Sequence, residues 1–341
     1  MTRAEFAILG AGAIGSILAA HLARAGHPVI VIARGERARA VERDGLRITG
    51  LADFSVRVPV ITDPGRLQAA DTLIVAMKTP GTDAALERLR TVRVEAALSI
   101  QNGVLKNELL ARTFGAERVL GALADTSGEL LPSGEVLFTR NASLPLGELA
   151  GGISERARRI AGLIDAAGVR SSAVADIVSM EWSKLTVWLG LMSLAVTTRS
   201  VSWRYLMDAD CAQVLVRLVR EVSAVARAQE IALVEGVAAL PLRTLLDAPE
   251  PQAIEAIRRA GQQMRERAPE HRMSALQDLQ AGRPLEVAET FGYVVRKATE
   301  LGLSLPLLEV FHHLVTAIDR IRRPAYPGVV NDRNPPSIAP L

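Results

Sequence analysis

A short apolar run, Ala4 to Leu9, stops at Gly10-Ala11-Gly12-Ala13-Ile14-Gly15 and passes directly into helical spacing through Ile14, Leu18, Ala19 and Leu22. The helix pattern ends at Gly26, and Val29 to Ile32 follow as a second run of β-branched residues. A strand, a glycine turn, a helix and a second strand within about 30 residues form a βαβ unit. In such a GxGxxG turn the first glycine permits the tight bend and the second lets a pyrophosphate approach the backbone. The third lets helix pack on strand. The amides at the helix start then face the phosphates, helped by the helix dipole. Gly10, Gly12, Ala13, Ile14 and Gly15 are therefore expected to bind a dinucleotide.

The end of the second strand selects the cofactor. An acidic residue there holds a ribose 2′-hydroxyl, whereas an arginine accommodates a 2′-phosphate. The chain reads Ile32-Ala33-Arg34-Gly35-Glu36-Arg37. Arg34, with Arg37 in support, favours NADP; the competing reading leaves Arg34 in solvent and gives the ribose to Glu36.

Further apolar runs at Leu73–Ala76 and Ala96–Ile100 are each followed by Pro or Gly and then a helical stretch. Residues 46–61 alternate apolar and polar and read as a two-stranded excursion, and Val119–Leu123 and Glu135–Leu146 read as later strands. This alternation predicts an α/β, Rossmann-type doubly wound sheet over residues 1–174. From Asp176 onward apolar residues recur at three and four, clearest over Ala212–Ala232 and Glu286–Leu301. Residues 175–321 are accordingly expected to form an all-α helical domain. The segment 322–341 holds five prolines without apolar periodicity and reads as an extended tail.

Composition narrows the function. The chain has 341 residues, 49% hydrophobic and 23% charged, which suits two folded domains. A net charge of +3 with scattered basic residues and 4% aromatics does not make a nucleic-acid surface. The longest apolar run, about Ala7–Ala23, is broken by glycines, Ser16 and His21 and is too short to cross a bilayer, so no membrane partner is expected. One cysteine, Cys211, cannot make an internal disulfide; it reads as a buried small apolar residue, and the cytoplasm is the expected compartment. The five histidines show no metal spacing, with His312 and His313 directed to different sides of a helix, and no metal is expected.

Of the 40 basic residues only four are lysine, Lys78, Lys106, Lys184 and Lys297. A lysine kept where arginine is the default hints at a compact, titratable ammonium. Lys78 ends a strand, at the sheet edge where such folds bind ligands, and Gln101-Asn102-Gly103 ends the next strand at that edge. Lys184, in Trp182-Ser183-Lys184-Leu185, lies in an apolar helix and is either snorkelling or buried for a task.

These segments occur in a specific order. After the glycine turn come Lys78, Gln101-Asn102-Gly103 and Trp-x-Lys-Leu. Then follow Ser274-Ala-Leu-Gln-Asp-Leu-Gln-Ala-Gly-Arg-Pro-Leu-Glu286 and a closing helix Phe291-Gly-Tyr-Val-Val-Arg-Lys before Glu-Leu-Gly. From about residue 5 to 320 the chain resembles the ketopantoate (2-dehydropantoate) reductase family. The resemblance implies NADPH-dependent reduction of a small 2-oxo acid to a 2-hydroxy acid, nominally 2-dehydropantoate to (R)-pantoate in pantothenate biosynthesis. It is also compatible with a homodimer formed through the helical domain.

Carried over by position, the resemblance makes Lys184 the general acid and Asn102 a contact to both nicotinamide and substrate. Lys78 becomes a cofactor-side lysine and Ser274 the binder of the substrate carboxylate. Glu286 reaches cofactor and active site, and is assigned to both catalysis and cofactor binding. Trp188 and Met192 depart from the pattern, because the family carries substrate-binding asparagines there. Four and eight residues beyond Lys184, both are expected to line the pocket. Two lost amides would each cost on the order of 1 to 3 kcal/mol of pantoate binding, which favours a more apolar 2-oxo acid or ketone. A non-catalytic NADP-binding regulatory protein is the remaining alternative.

Overall fold

The computed structural model describes residues 3–322. Short β-branched runs become strands that alternate with helices: β1 (Arg3–Leu9), α1 (Ala13–Arg24), β2 (Val29–Ile32), α2 (Gly35–Asp44), β3 (Leu46–Gly50), β4 (Phe54–Val56) and β5 (Val60–Ile61). The chain continues through β6 (Ala69–Val75), α3 (Thr82–Glu87), β7 (Arg93–Ser99), α4 (Leu105–Phe114), β8 (Val119–Ala122), β9 (Asp125–Leu130), β10 (Val136–Glu148), α5 (Glu155–Ala166) and β11 (Ser171–Ala173).

Six of these strands lie parallel in the order β8-β7-β6-β1-β2-β5. The chain runs outward from β1 on one side, returns, and continues on the other, so the carboxyl end of β1 is a topological switch point, where this fold class binds ligands. The central strands are buried on both faces, which is why they read as near-continuous apolar runs. One face packs α1 through Ile17, Leu18 and Leu22; the other packs α4 through Leu109, Leu110 and Phe114. β10 adds antiparallel to β8 and carries β3, β9 and β11.

The stretch 46–61 contributes three strands rather than two. β3 and β4 form the expected antiparallel pair, whereas Val60 and Ile61 join β2 as the outermost parallel strand. The Pro59 carbonyl starts that pairing by accepting the Val31 N–H at 2.9 Å. β9 (Asp-Thr-Ser-Gly-Glu-Leu) lacks an apolar rhythm and is held by its ladder with β10.

The second lobe is helical: α6 (Ile177–Thr198), α7 (Ser202–Met207), α8 (Ala209–Ala228), α9 (Leu242–Asp247), α10 (Glu250–Arg267), α11 (Ser274–Gln280), α12 (Phe291–Glu300) and α13 (Pro306–Arg322). Asp176 caps α6 by accepting the Ser179 N–H at 3.0 Å. This helix is apolar nearly all round because it runs through the lobe's core, packed by α8, α11 and α13. Among the described residues no helix is long and apolar enough to cross a membrane.

Two helix boundaries differ from expectation. α8 stops at Ala228, where Glu230 takes φ +58° and Ile231 N–H returns to the Ala226 carbonyl. α12 begins at Phe291, because Glu286–Thr290 form a turn closed by Gly292 N–H on the Val287 carbonyl. The tail is expected over 322–341; Arg322 instead ends α13, and 323–341 lie outside the described residues.

Candidate active site

A cleft of about 1670 Å³ follows the carboxyl edge of the parallel strands and is closed on its far side by the helical lobe. The glycine turn forms one end. Gly10 has φ +111°, and a Cβ there would lie 2.6 Å from the Met77 backbone nitrogen. A Cβ on Gly15 would lie 2.1 Å from the Gly10 carbonyl oxygen. Packing alone demands glycine at both positions. Gly12 is different: it is exposed, and a Cβ would meet nothing nearer than 3.9 Å. What a side chain would obstruct at Gly12 is therefore the cleft. The N-terminus of α1 has neither a side-chain cap nor an acidic residue in its first turn, leaving its amides available to an anion. The turn thus fits a dinucleotide pyrophosphate.

Arg34 is exposed and lines the cleft at the start of α2. Glu36 does not line it; its carboxylate pairs with Arg39 at 2.8 Å, which holds it below the usual carboxylate range. Arg37 lines the cleft but is built into the turn. Its guanidinium donates to the carbonyls of Ala11 (2.9 Å) and Gly134 (2.8 Å) and to Ser16 Oγ (3.0 Å). Three of its five N–H donors are thus used on the protein, which leaves two for the expected support of Arg34.

The two lobes are clasped across the cleft. Glu286, buried, accepts the Thr79 backbone N–H at 3.1 Å and the Asn102 side-chain amide at 3.2 Å. Thr79 Oγ1 donates to Glu289 at 3.2 Å. Lys78, with a half-exposed side chain, pairs at 2.7 Å with buried Asp278, whose other oxygen takes Arg283 at 2.8 Å. Ser274, exposed, lines the cleft at the first position of α11.

Lys184 projects from α6 into the cleft and donates to the Ala124 carbonyl at 2.8 Å. Burial pushes its ammonium down to about 8, and Lys106 adds to the shift; Asp125, Glu286 and Glu181 oppose it. Trp188, one turn further, lines the cleft beside Lys184, with Val187, Leu191, Leu206, Leu240 and Met264 extending an apolar wall.

Met192 does not line the cleft. It is fully buried in the core of the helical lobe. The cause is the helical period: four residues turn Trp188 about 40° from Lys184, and eight turn Met192 about 80°. Cys211 is part-buried rather than buried, its thiol pushed up by burial to about 11. The His312 and His313 rings stack at 5.5 Å instead of diverging. Among the described residues no group of three or more His, Cys, Asp or Glu is placed to hold a metal.

Sequence reasoning passed over Thr79, Asp278, Glu181 and Lys106. The scarcity of lysine pointed to Lys106 as much as to Lys184; nothing at sequence level placed it in the interior, where it is 4% exposed.

Residues 6–151 match the family model described as ketopantoate reductase PanE/ApbA, and residues 176–319 match that of its C-terminal part. A 2-dehydropantoate 2-reductase of Mycobacterium tuberculosis is 32% identical over 319 residues, covering 91% of this chain and 96% of the relative. One of Archaeoglobus fulgidus is 26% identical over 323 residues, covering 92% and 97%. A crystal structure of a PanE/ApbA family ketopantoate reductase from Ralstonia eutropha superposes with a TM-score of 0.79 at 27% identity, covering 94% of this chain and 99% of that one.

Proposed function

The chain belongs to the ketopantoate reductase family, and from that membership we propose that it reduces a 2-oxo acid to the 2-hydroxy acid with NADPH. It is an oxidoreductase acting on CH–OH groups, as its relatives are. The nominal reaction is 2-dehydropantoate to (R)-pantoate, the reductive step toward pantothenate. One observation carries this reading: Lys184, Asn102 and Glu286, from three separate parts of the chain, converge on the cleft that begins at the glycine turn.

The residues present suit NADPH. Amides of Ala13, Ile14 and Gly15 take the pyrophosphate, Arg34 the 2′-phosphate, and Lys78 and Asn102 the nicotinamide side. Bound there, the cofactor supplies a hydride. Everything else falls to the chain's own groups. Lys184, with an ammonium near 8, is protonated at neutral pH yet releases its proton readily, which suits a general acid at the ketone oxygen. The Ala124 carbonyl takes one of its three N–H donors and fixes its direction, leaving two for substrate. Glu286 orients the Asn102 amide and the Thr79 backbone across the cleft. Ser274 is assigned to the substrate carboxylate, and Trp188 keeps water from the reacting carbon.

A second reading has a specific observation behind it. Trp188 and the apolar wall beyond it favour a bulkier, more apolar 2-oxo acid or ketone over pantoate's hydroxyl-bearing skeleton. The test is NADPH absorbance followed across 2-dehydropantoate and a panel of bulkier oxo acids. Turnover of at least one is expected, and the order of kcat/KM decides between the two substrates. Tight NADPH binding by calorimetry without turnover of any would instead favour a non-catalytic NADP-binding protein.

A further inference from the structure

Beside Lys184 lies a buried ion pair with no part in the reaction described above. Lys106 Nζ of α4 stands 2.9 Å from Glu181 Oε1 of α6, and both side chains are 3% exposed. The same ammonium donates to the carbonyls of Ser99 and Ala122. Glu181 Oε1 accepts the Ala122 N–H at 3.0 Å, while its Oε2 takes the Asn107 amide at 2.5 Å. The pair therefore grips Ala122 by both its N–H and its C=O. Two residues later, Ala124 offers the carbonyl on which Lys184 rests. Lys106, Glu181 and Lys184 also line one cavity of about 20 Å³ together with Asn102 and Trp188, room for about one water.

Burying two charges is a poor route to stability, since apolar residues of like volume do as well or better. The location of this pair suggests a different use. We propose that Lys106 and Glu181 are positioning residues for the proton donor: they fix the 122–124 segment that holds the Lys184 ammonium, and the Lys106 ammonium stands as a like charge behind it. The proposal rests on Lys184 being that donor. The charged groups facing Lys184 are Lys106 from α4, Asp125 from β9, Glu286 from the turn before α12, and Glu181 on α6 itself. Lys106 has the largest influence among these charges and is the one that makes Lys184 more acidic; the three carboxylates act the other way.

That difference in sign gives the test. The chain contains four lysines, so lysine labelled with 13C at Cε allows each to be followed by NMR in the full-length protein, alongside the basic limb of kcat/KM against pH. In Lys106→Met the Lys184 midpoint is expected to rise from about 8 by about one unit, relieved of a like charge. In Glu181→Gln, which leaves the Lys106 charge less balanced, it is expected to fall. A purely structural role predicts a loosened, better hydrated site and a rise in both variants. Opposite shifts support the proposal, and shifts in the same direction or none overturn it. Should Lys106→Met fail to fold, Glu181→Gln decides by its own sign. Should Glu181→Gln fail, Lys106→Arg decides, because it keeps the charge: a midpoint unmoved there while Lys106→Met rises supports the proposal, and a rise in both overturns it. Lys184→Ala separates the two levels: near-normal turnover there removes the donor reading, whereas its loss with unmoved midpoints removes only the role of Lys106 and Glu181.

Discussion

The Asn102 side-chain amide donates to Glu286 Oε2 at 3.2 Å, joining residues 184 apart in sequence and on opposite sides of the cleft. The other carboxylate oxygen of Glu286 takes the Thr79 backbone N–H. One buried acid thus sets the spacing between the sheet edge and the helical lobe at the point where substrate and nicotinamide would meet.

Replacing Glu286 with Gln turns one of these two acceptors into a donor facing an N–H. Losing a hydrogen bond to a charged group costs about 1.5 to 3 kcal/mol. At the transition state this corresponds to a fall in kcat/KM of roughly 10- to 150-fold. Steady-state kinetics with the preferred oxo acid check this, and a change within threefold would show that the bridge does not matter to turnover.

The pH profile follows from Lys184. With Lys184 as the proposed proton donor, reduction uses its protonated form, so kcat/KM for reduction should hold below about pH 8 and decline above it. Stability has the opposite trend. The folded-state value of about 8 lies below the ordinary 10.5, so between them the unfolded chain binds more protons and this residue's contribution rises with pH. Urea unfolding at several pH values checks the second statement; a basic limb unmoved from an ordinary lysine's would contradict the first.

Arg34→Ala should raise KM for NADPH tenfold or more, by about 1.5 to 3 kcal/mol of lost charge-assisted bonding, with little change for NADH. Glu36 is committed to Arg39 and away from the cleft, which is why it is not expected to rescue NADH binding. A wild-type preference for NADH would refute the arginine argument.

Arg37→Leu removes three hydrogen bonds that tie Ala11, Ser16 and Gly134 together behind the glycine turn. Two of the lost acceptors are backbone carbonyls, and the expected destabilisation is about 1 to 3 kcal/mol. The loosened turn should also weaken NADPH binding, measurable by calorimetry. Unchanged stability with unchanged affinity would show the guanidinium to be incidental.

Much of the sheet lobe was legible because parallel strands buried on both faces are written as unbroken apolar runs, and because Gly10-x-Gly12-x-x-Gly15 has few structural alternatives after a strand. β9 and β11 were not legible. Their residues carry no apolar alternation, and only the long partner β10 makes them strands. Of the candidate site, Lys78, Asn102, Lys184, Trp188, Ser274 and Glu286 all meet the cleft, since each sits at a strand end, a helix face or a turn that the pattern locates. Met192 does not, because an α-helix turns away over eight residues. The Lys106–Glu181 pair was hidden because burial of a charge depends on packing between α4 and α6, which spacing along either helix does not reveal.

The most direct test of the proton-donor assignment is turnover by Lys184→Ala at saturating NADPH and oxo acid, with NADPH affinity measured in parallel by calorimetry. Loss of a general acid predicts a kcat lower by at least about a hundredfold with NADPH binding retained. A kcat within a few-fold of the unmodified enzyme would show that the ketone oxygen receives its proton from some other group.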